Sequence, residues 1–382
     1  MRRVGLLSAV AFALVVAAAA MAATSGWKVQ PSPNPGGAMD SQLFGVSCAS
    51  SRTCTAVGDS TKDFTVFSTL AERWTGTKWS IQHTPTPGGT YGDLYAVSCA
   101  GAKTCISVGD YEPSGTAVVA LAERFNGKKW SVLHPLNPAG ASGSALRGVS
   151  CISARACTAV GDYTNAGVDQ TLVQRWNGKV WAIKRTPNPS GANLSVLNAV
   201  TCTSRSACTA VGTSRNGSAV YTTLTERWNG TKWSINPSPN PAGSQHAELD
   251  SVSCTAAGGC IAVGSYQKKP SHSRTLAERW NGKKWSIQHT VNPTTDPNKF
   301  LLGVSCTSRS ACTAVGYTSG PIVWQATLVE HWNGSKWSVE RSPHPGTDSQ
   351  LHGLSCVSTS TCTAVGLYEK SSGGQKTLVE HR

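Results

Sequence analysis

The chain has 382 residues, of which only 14% are charged, and a formal net charge of +14 from 34 Lys and Arg against 20 Asp and Glu. Low charge and 13 Trp exclude a disordered chain. The 38 Gly keep no three-residue period, which excludes collagen, and the A/E/K/L/R-rich composition of a coiled coil is missing.

Residues 1–23 read as a secretory signal peptide: Arg2 and Arg3 are a positive start, Val4 to Ala20 is almost wholly apolar, and Ala20-Met21-Ala22 supplies a small-x-small cleavage pattern. The mature protein is expected to be extracellular; left uncleaved, the same run is long enough to anchor it. No later stretch approaches that length, so no membrane span is expected after cleavage. Without Arg2 and Arg3 the charge is +12. Such a balance favours anionic partners, an acidic glycan or cell-surface polymer among them. Nucleic acid is not expected, because of export and because the basic residues form no tract.

From residue 24 onward a period of about fifty residues organises the chain. Fourteen Cys form seven pairs with five residues between: Cys48/Cys54, Cys99/Cys105, Cys151/Cys157, Cys202/Cys208, Cys254/Cys260, Cys306/Cys312 and Cys356/Cys362. Each sits in text such as GVSCASSRTCTAVGD, followed by text such as LAERWNGKKWSIQ. The segments around the two Cys are short and β-branched, the two later segments alternate with period two, and Asn-Gly between them marks a hairpin. Four antiparallel strands per repeat, with no helical period, predict an all-β fold, a β-propeller with blades near 43–84, 94–135, 146–187, 197–238, 249–290, 301–342 and 351–382. The last repeat stops at TLVEHR, one strand short, while GWKVQPSPNP near the start matches the missing strand. Residues 26–31 are therefore expected to close blade seven and make residues 24–382 one ring-shaped domain without open edges.

The repeated residues read as architecture. Even Cys pairs at fixed spacing in an exported chain predict disulfides, each across a tight five-residue turn between strands one and two. No metal site or cofactor is expected. A four-residue loop sets Trp228 opposite Trp233, whereas a two-residue turn would oppose Arg227 and Lys232 at a cost. Trp in nearly every repeat is a packing element, and the Glu-Arg pairs (Glu72/Arg73, Glu226/Arg227) are hydrogen bonds or ion pairs between blades. A single active site does not need so many copies.

Two positions vary where their neighbours repeat. One, before the G/A-V-S-C of strand one, is Phe44, Tyr95, Arg147, Asn198, Asp250, Leu302 and His352. The other, after A-V-G in strand two, begins Asp59, Asp110 and Asp162. Strand one is innermost in a propeller, so Tyr95, Arg147, Asn198, Asp250 and His352 are expected to ring the channel mouth on the face with variable loops, near Tyr111 and Tyr163. That is a mixed aromatic and polar rim for a glycan or protein ligand. The same place carries an enzyme reading. Glycoside hydrolysis needs two carboxylates roughly 5 to 9.5 Å apart, and Asp59, Asp110 and Asp162 would be the catalytic candidates. A third reading is a structural or adhesion scaffold.

The text VSC-x5-C-TAVG, then LxERWNGxxWS and a PSPNP-like linker, resembles the secreted Cys-paired propeller repeats of actinobacteria. That resemblance covers nearly all of the mature chain and implies an extracellular bacterial protein without an established activity. A looser likeness joins it to kelch and galactose-oxidase propellers, but the kelch double glycine is missing. WNGTKW also loosely resembles the Asp-box hairpin of sialidase-like propellers, with Asn in place of Asp. The leading expectation is a secreted, monomeric, non-enzymatic binding propeller.

Overall fold

The computed structural model describes residues 26–382 apart from 86, 114, 116, 257, 269–271, 294–295 and 321–323. The leader expected over residues 1–23 lies outside the described residues. The described chain is all β, with no helix.

Each repeat folds as an antiparallel meander of four strands. In the first, Asp40–Ser50 pairs with Thr53–Thr61, that strand with Phe67–Trp74, and that with Trp79–Gln82. Later meanders begin with Tyr91–Gly101, Gly143–Ser153, Ala192–Ser204, His246–Ala256, Asn298–Ser308 and Ser349–Ser358. Hydrogen bonding groups the strands into six sheets. Five are four-stranded; the sixth is eight-stranded, two meanders joined by one parallel pairing of Asp169 with Leu194.

The last meander draws its outer strand from the other end of the chain. Lys28–Val29 pairs antiparallel with Gln375–His381, Lys28 opposite His381 and Val29 opposite Glu380. Trp27 is 2% exposed and donates its indole N–H to Glu340, 3.1 Å away. Arg382 grips the same carboxylate at 2.6 and 2.8 Å.

The core lies between meanders. Ile106 and Val108 of the second pack against Leu146, Trp176 and Trp181 of the third. Val365 and Val379 of the last pack against Leu43, Val46 and Trp79 of the first. A flat four-stranded sheet cannot bury both its faces alone, so every meander needs two neighbours. The Trp pairs face each other across the outer hairpin, Trp228 opposite Trp233, with ring centroids 5.9 Å apart. In that loop the Asn229 carboxamide accepts the N–H groups of Thr231 and Lys232 at 3.0 Å, and Gly230 takes φ +99.

All the predicted Cys pairs are disulfides: Cys48–Cys54, Cys99–Cys105, Cys151–Cys157, Cys202–Cys208, Cys254–Cys260, Cys306–Cys312 and Cys356–Cys362. Their setting departs from the expected turn in one respect. The turn itself is only two residues, such as Ser51-Arg52, and the Cys stand behind it as cross-strand partners. The two ends of each bridge are also unlike. The first Cys is half-buried, whereas the second belongs to the core: Cys54, Cys105, Cys157, Cys208, Cys260, Cys312 and Cys362 are all buried. Each packs against the preceding meander, Cys157 with Ile106 and Val108, and Cys362 with Val315. The threonine after the second Cys of that meander lies beside the sulfur: Thr363 is 3.8 Å from Cys54, Thr55 is 3.6 Å from Cys105 and Thr158 is 3.8 Å from Cys208. The bridges are thus packing residues between meanders as well as staples within one.

Two repeated polar residues tie meander to meander. The serine before the first Cys accepts the backbone N–H of the next meander's first Cys: Ser47 from Cys99 at 3.0 Å, Ser98 from Cys151 at 2.9 Å, and Ser355 from Cys48 at 3.0 Å; the fourth meander has Thr201 there. The last bond spans the chain and closes the ring. The glutamate of the Glu-Arg pair is fully buried, and a hydroxyl of the preceding linker donates to it: Ser32 to Glu72 at 2.6 Å, Ser238 to Glu278, Ser342 to Glu380. Glu123 accepts instead from Thr69 at 3.4 Å, and Glu330 from the Val291 N–H at 3.3 Å. The third meander departs further. Pro135 occupies the hydroxyl position before the third meander and has nothing to donate. There the glutamate is replaced by Gln174, whose amide bonds the Leu136 carbonyl at 2.8 Å and accepts its N–H at 2.9 Å. The arginines stack instead: Arg73 lies 5.0 Å from the Phe125 ring and Arg227 4.5 Å from Trp280, each on the following meander.

Candidate functional site

The variable position of strand one is a β-bulge. Leu43 opposes Gly58 and Gly45 opposes Val57, which leaves Phe44 unpaired. Register shifts at the same place make bulge residues of Tyr95, Arg147, Asn198, Asp250, Leu302 and His352. An extra residue kinks its strand and re-aims its side chain. The kink also accounts for the repeated glycine of A-V-G: a Cβ on Gly109 would lie 1.9 Å from the Asp93 carbonyl oxygen. On either side of the bulge the chain is tightly held. Leu43, Leu94 and Leu146 before it are fully buried, and a Cβ on Gly353 after it would lie 2.7 Å from Phe44 O of the neighbouring meander.

The bulge residues therefore meet around the ring's interior. Phe44 stacks on His352 at 5.6 Å and tilts against Tyr95 at 5.7 Å. Asn198 donates to the Leu249 carbonyl of the next meander at 3.1 Å. The Tyr95 hydroxyl lies 3.2 Å from both oxygens of Asp110 and 3.3 Å from Asp93. The Tyr91 hydroxyl also donates to Asp93. Arg147 pairs with Asp162 at 2.6 Å. Gln42 donates to Asp59 at 3.3 Å.

The network is rich in acid. Burial, then the charge of Asp93 beside it, pushes the Asp59 carboxyl up to about 8. Burial and Asp93 likewise raise Asp110 to about 7, although Arg147 pulls the other way. Burial and neighbouring carboxylates hold the Tyr91 and Tyr95 phenols protonated, as donors. Across the ring, burial and Glu248 raise Asp250, whose Oδ2 is buried without a hydrogen-bond partner. Glu248 itself accepts from Ser265 at 3.2 Å and lies 3.4 Å from His246. Burial lowers His352 to about 4, so its ring is neutral, with Nε2 on Gln350 at 3.1 Å and Nδ1 unpartnered. The interior thus differs in sign from the chain's net charge.

Of the sequence-predicted residues, Tyr95, Arg147, Asp59, Asp110 and Asp162 fall into one network, and Asn198, Asp250 and His352 line the same ring. Asp59 and Asp110 are 4% and 6% exposed, their oxygens engaged by neighbours. Tyr111 instead packs against a core cluster between the first two meanders. Tyr163 donates to Gln170 at 2.9 Å and lines a groove of about 770 Å³ between the third and fourth meanders. Sequence reasoning placed Tyr91 in a loop beside the rim and missed Asp93 and Glu248. Asp93 and Glu248 stand two residues before the bulge, so strand alternation was the available signal.

A solved structure of YCF48 bound to D1 peptide is similar to this fold, with a TM-score of 0.54, 12% identity, and coverage of 93% of this chain and 96% of that one. A mutant of Trypanosoma rangeli sialidase displaying trans-sialidase activity aligns with a TM-score of 0.49 and 9% identity, over 88% of this chain and 53% of that one. Trypanosoma rangeli sialidase in complex with 2,3-difluorosialic acid, a covalent intermediate, aligns with a TM-score of 0.49 and 10% identity, over 90% of this chain and 54% of that one. No protein-family model matches the sequence, and no curated protein matches it. The sheets and the first likeness define a propeller-like, disulfide-bonded all-β protein. Its disulfides fit an extracellular setting, and among the described residues no helix is long and apolar enough to cross a membrane.

Proposed function

We propose that the meanders are seven blades of one closed propeller, and that the protein is a secreted, non-enzymatic binding module whose ligand seats on the bulge ring. One observation carries this reading: the residues that differ from repeat to repeat converge there, while those at the turns and between blades repeat. A scaffold alone has no need of a different side chain at every bulge. The ring offers stacked aromatics (Phe44, Tyr95, His352) beside carboxylates, a surface that suits a peptide or a glycan presenting hydroxyl or cationic groups. The peptide in the YCF48 structure is a precedent of fold only.

A second reading, a glycan-cleaving enzyme, is favoured by one observation: Asp110 titrates near neutrality, as a general acid must. Its burial weighs against it. The test is a peptide and glycan binding screen by calorimetry, with mass spectrometry of the products. Binding without turnover, weakened at least tenfold by Tyr95→Ala or Arg147→Ala, supports the module. Turnover abolished by Asp110→Asn replaces it with the enzyme. Binding untouched by both alanine variants removes the ligand from this ring.

A further inference from the structure

The end of the ring opposite the variable loops is a separate surface with its own charge. Two sets of turns form it, those between the first and second strands and those between the third and fourth. They interleave: the Trp74 indole donates to Ser51 O, Trp228 to Arg205 O and Trp332 to Arg309 O. Neighbouring meanders join there too, Arg175 donating to Arg205 O at 2.8 Å. Each set keeps one length wherever it occurs, two residues between the first and second strands and four between the third and fourth.

These turns carry thirteen Lys and Arg, all exposed, among them Arg52, Lys103, Lys128, Lys129, Lys283 and Lys284. None of the 20 acidic residues lies in them. The acidic residues are elsewhere: the buried glutamates between meanders, Glu340 on Arg382, and the rest toward the variable-loop end. The molecule is a polarised disc. Its net charge of +14 understates the field on this side, because the neutralising carboxylates sit on the other.

A second observation points the same way. The described chain enters the fold at Gly26, just before the strand that pairs Lys28 with His381. Trp27 holds the position that Trp79 and Trp233 hold after their turns, so residue 26 emerges on the basic face. Left uncleaved, the apolar run Val4 to Ala20 would put a bilayer on this side.

We propose that this face docks on an anionic lipid bilayer, its turns spreading over the headgroups. Short turns that carry basic residues in six of the seven meanders fit a planar anion array better than a threaded polymer. Each basic residue within a Debye length adds attraction that salt removes. The bulge ring then faces away from the bilayer, so this inference stands apart from the binding function proposed above.

The test is sedimentation of the whole chain with vesicles of pure phosphatidylcholine and with vesicles containing about one-third phosphatidylglycerol. Residues 1–25, Arg2 and Arg3 among them, are common to the unaltered chain and its variants, so the change between them isolates the turns. The expected ratio of the two partition coefficients is about tenfold or more at 0.1 M salt and about one at 0.5 M. Lys128→Glu/Lys129→Glu with Lys283→Glu/Lys284→Glu is expected to abolish the preference with the circular dichroism unchanged. Lys179→Glu/Lys336→Glu, a milder variant, is expected to reduce it several-fold. A ratio near one for the unaltered chain overturns the proposal. So does a preference that survives in the variants or falls equally when Lys62 and Lys370 of the opposite end are replaced. Tight, salt-sensitive binding of soluble polyphosphate without vesicle preference overturns it in favour of a linear polyanion.

Discussion

Glu278→Gln tests the account of the buried glutamates. Glu278 is fully buried, accepts from Ser238, and is pushed by burial to about 8. Its carboxyl is thus raised above the ordinary value of 4.5. The folded chain keeps a proton that the unfolded chain releases, so stability is full below pH 4.5 and is lost as pH rises toward 8. One such group costs on the order of 1 kcal/mol per pH unit in that window. Gln has the same shape and does not titrate, as Gln174 demonstrates in the third meander. At pH 5 the variant should be less stable by about 1 kcal/mol, because its amide N–H₂ replaces an oxygen that has no partner. It should then gain on the wild type as pH rises, and overtake it before pH 8. The assay is guanidinium unfolding of the disulfide-intact protein, followed by Trp fluorescence at pH 5, 6, 7 and 8. A stability difference that stays constant with pH, or moves the other way, would refute the reasoning.

Three further outcomes follow from the packing. Gly316→Ala places a Cβ 2.0 Å from the Phe300 carbonyl oxygen and should cost about 3 kcal/mol or more in urea unfolding; a loss below 1 kcal/mol would show that the bulge is not the reason for that glycine. Trp27→Ala empties the closing strand's buried anchor and should cost about 3–5 kcal/mol, with exposure of Gln375–His381 as a free edge measured by faster amide exchange there. Replacing Cys306 and Cys312 by Ser opens a short loop and should cost about 2 kcal/mol in the same unfolding assay, roughly as for any other pair; a pair whose loss unfolds the chain would contradict a stabilisation shared among blades.

Local residue chemistry made much of the fold legible. A tandem repeat states its own boundaries, the Asn-Gly hairpin reveals its register through the charges it must keep apart, and a final repeat lacking its outer strand announces the partner at the other end. The disulfides followed from even spacing in a chain read as exported, but the burial of Cys54 or Cys208 against the preceding meander did not. The candidate site was only half legible. Variation among repeats located Tyr95, Arg147 and Asp110, but a bulge is a property of two strands in register. Nothing local to Asp93 says that Tyr91, Tyr95 and a neighbouring blade's Asp59 converge on it.

The sequence by itself determined the meander, its Cys pairs and its Trp hairpins, because each depends on neighbours within one repeat, and the way the ends join, because the text at one end repeats what the other lacks. Only the tertiary structure decided which carboxyls burial pushes up, which glutamates are buried, and how charge divides between the two ends of the ring. Those properties arise from residues about fifty positions apart, or from opposite ends of the chain, brought within a few ångströms. Desolvation and Coulomb interaction act through space, and no pattern read along one strand carries them.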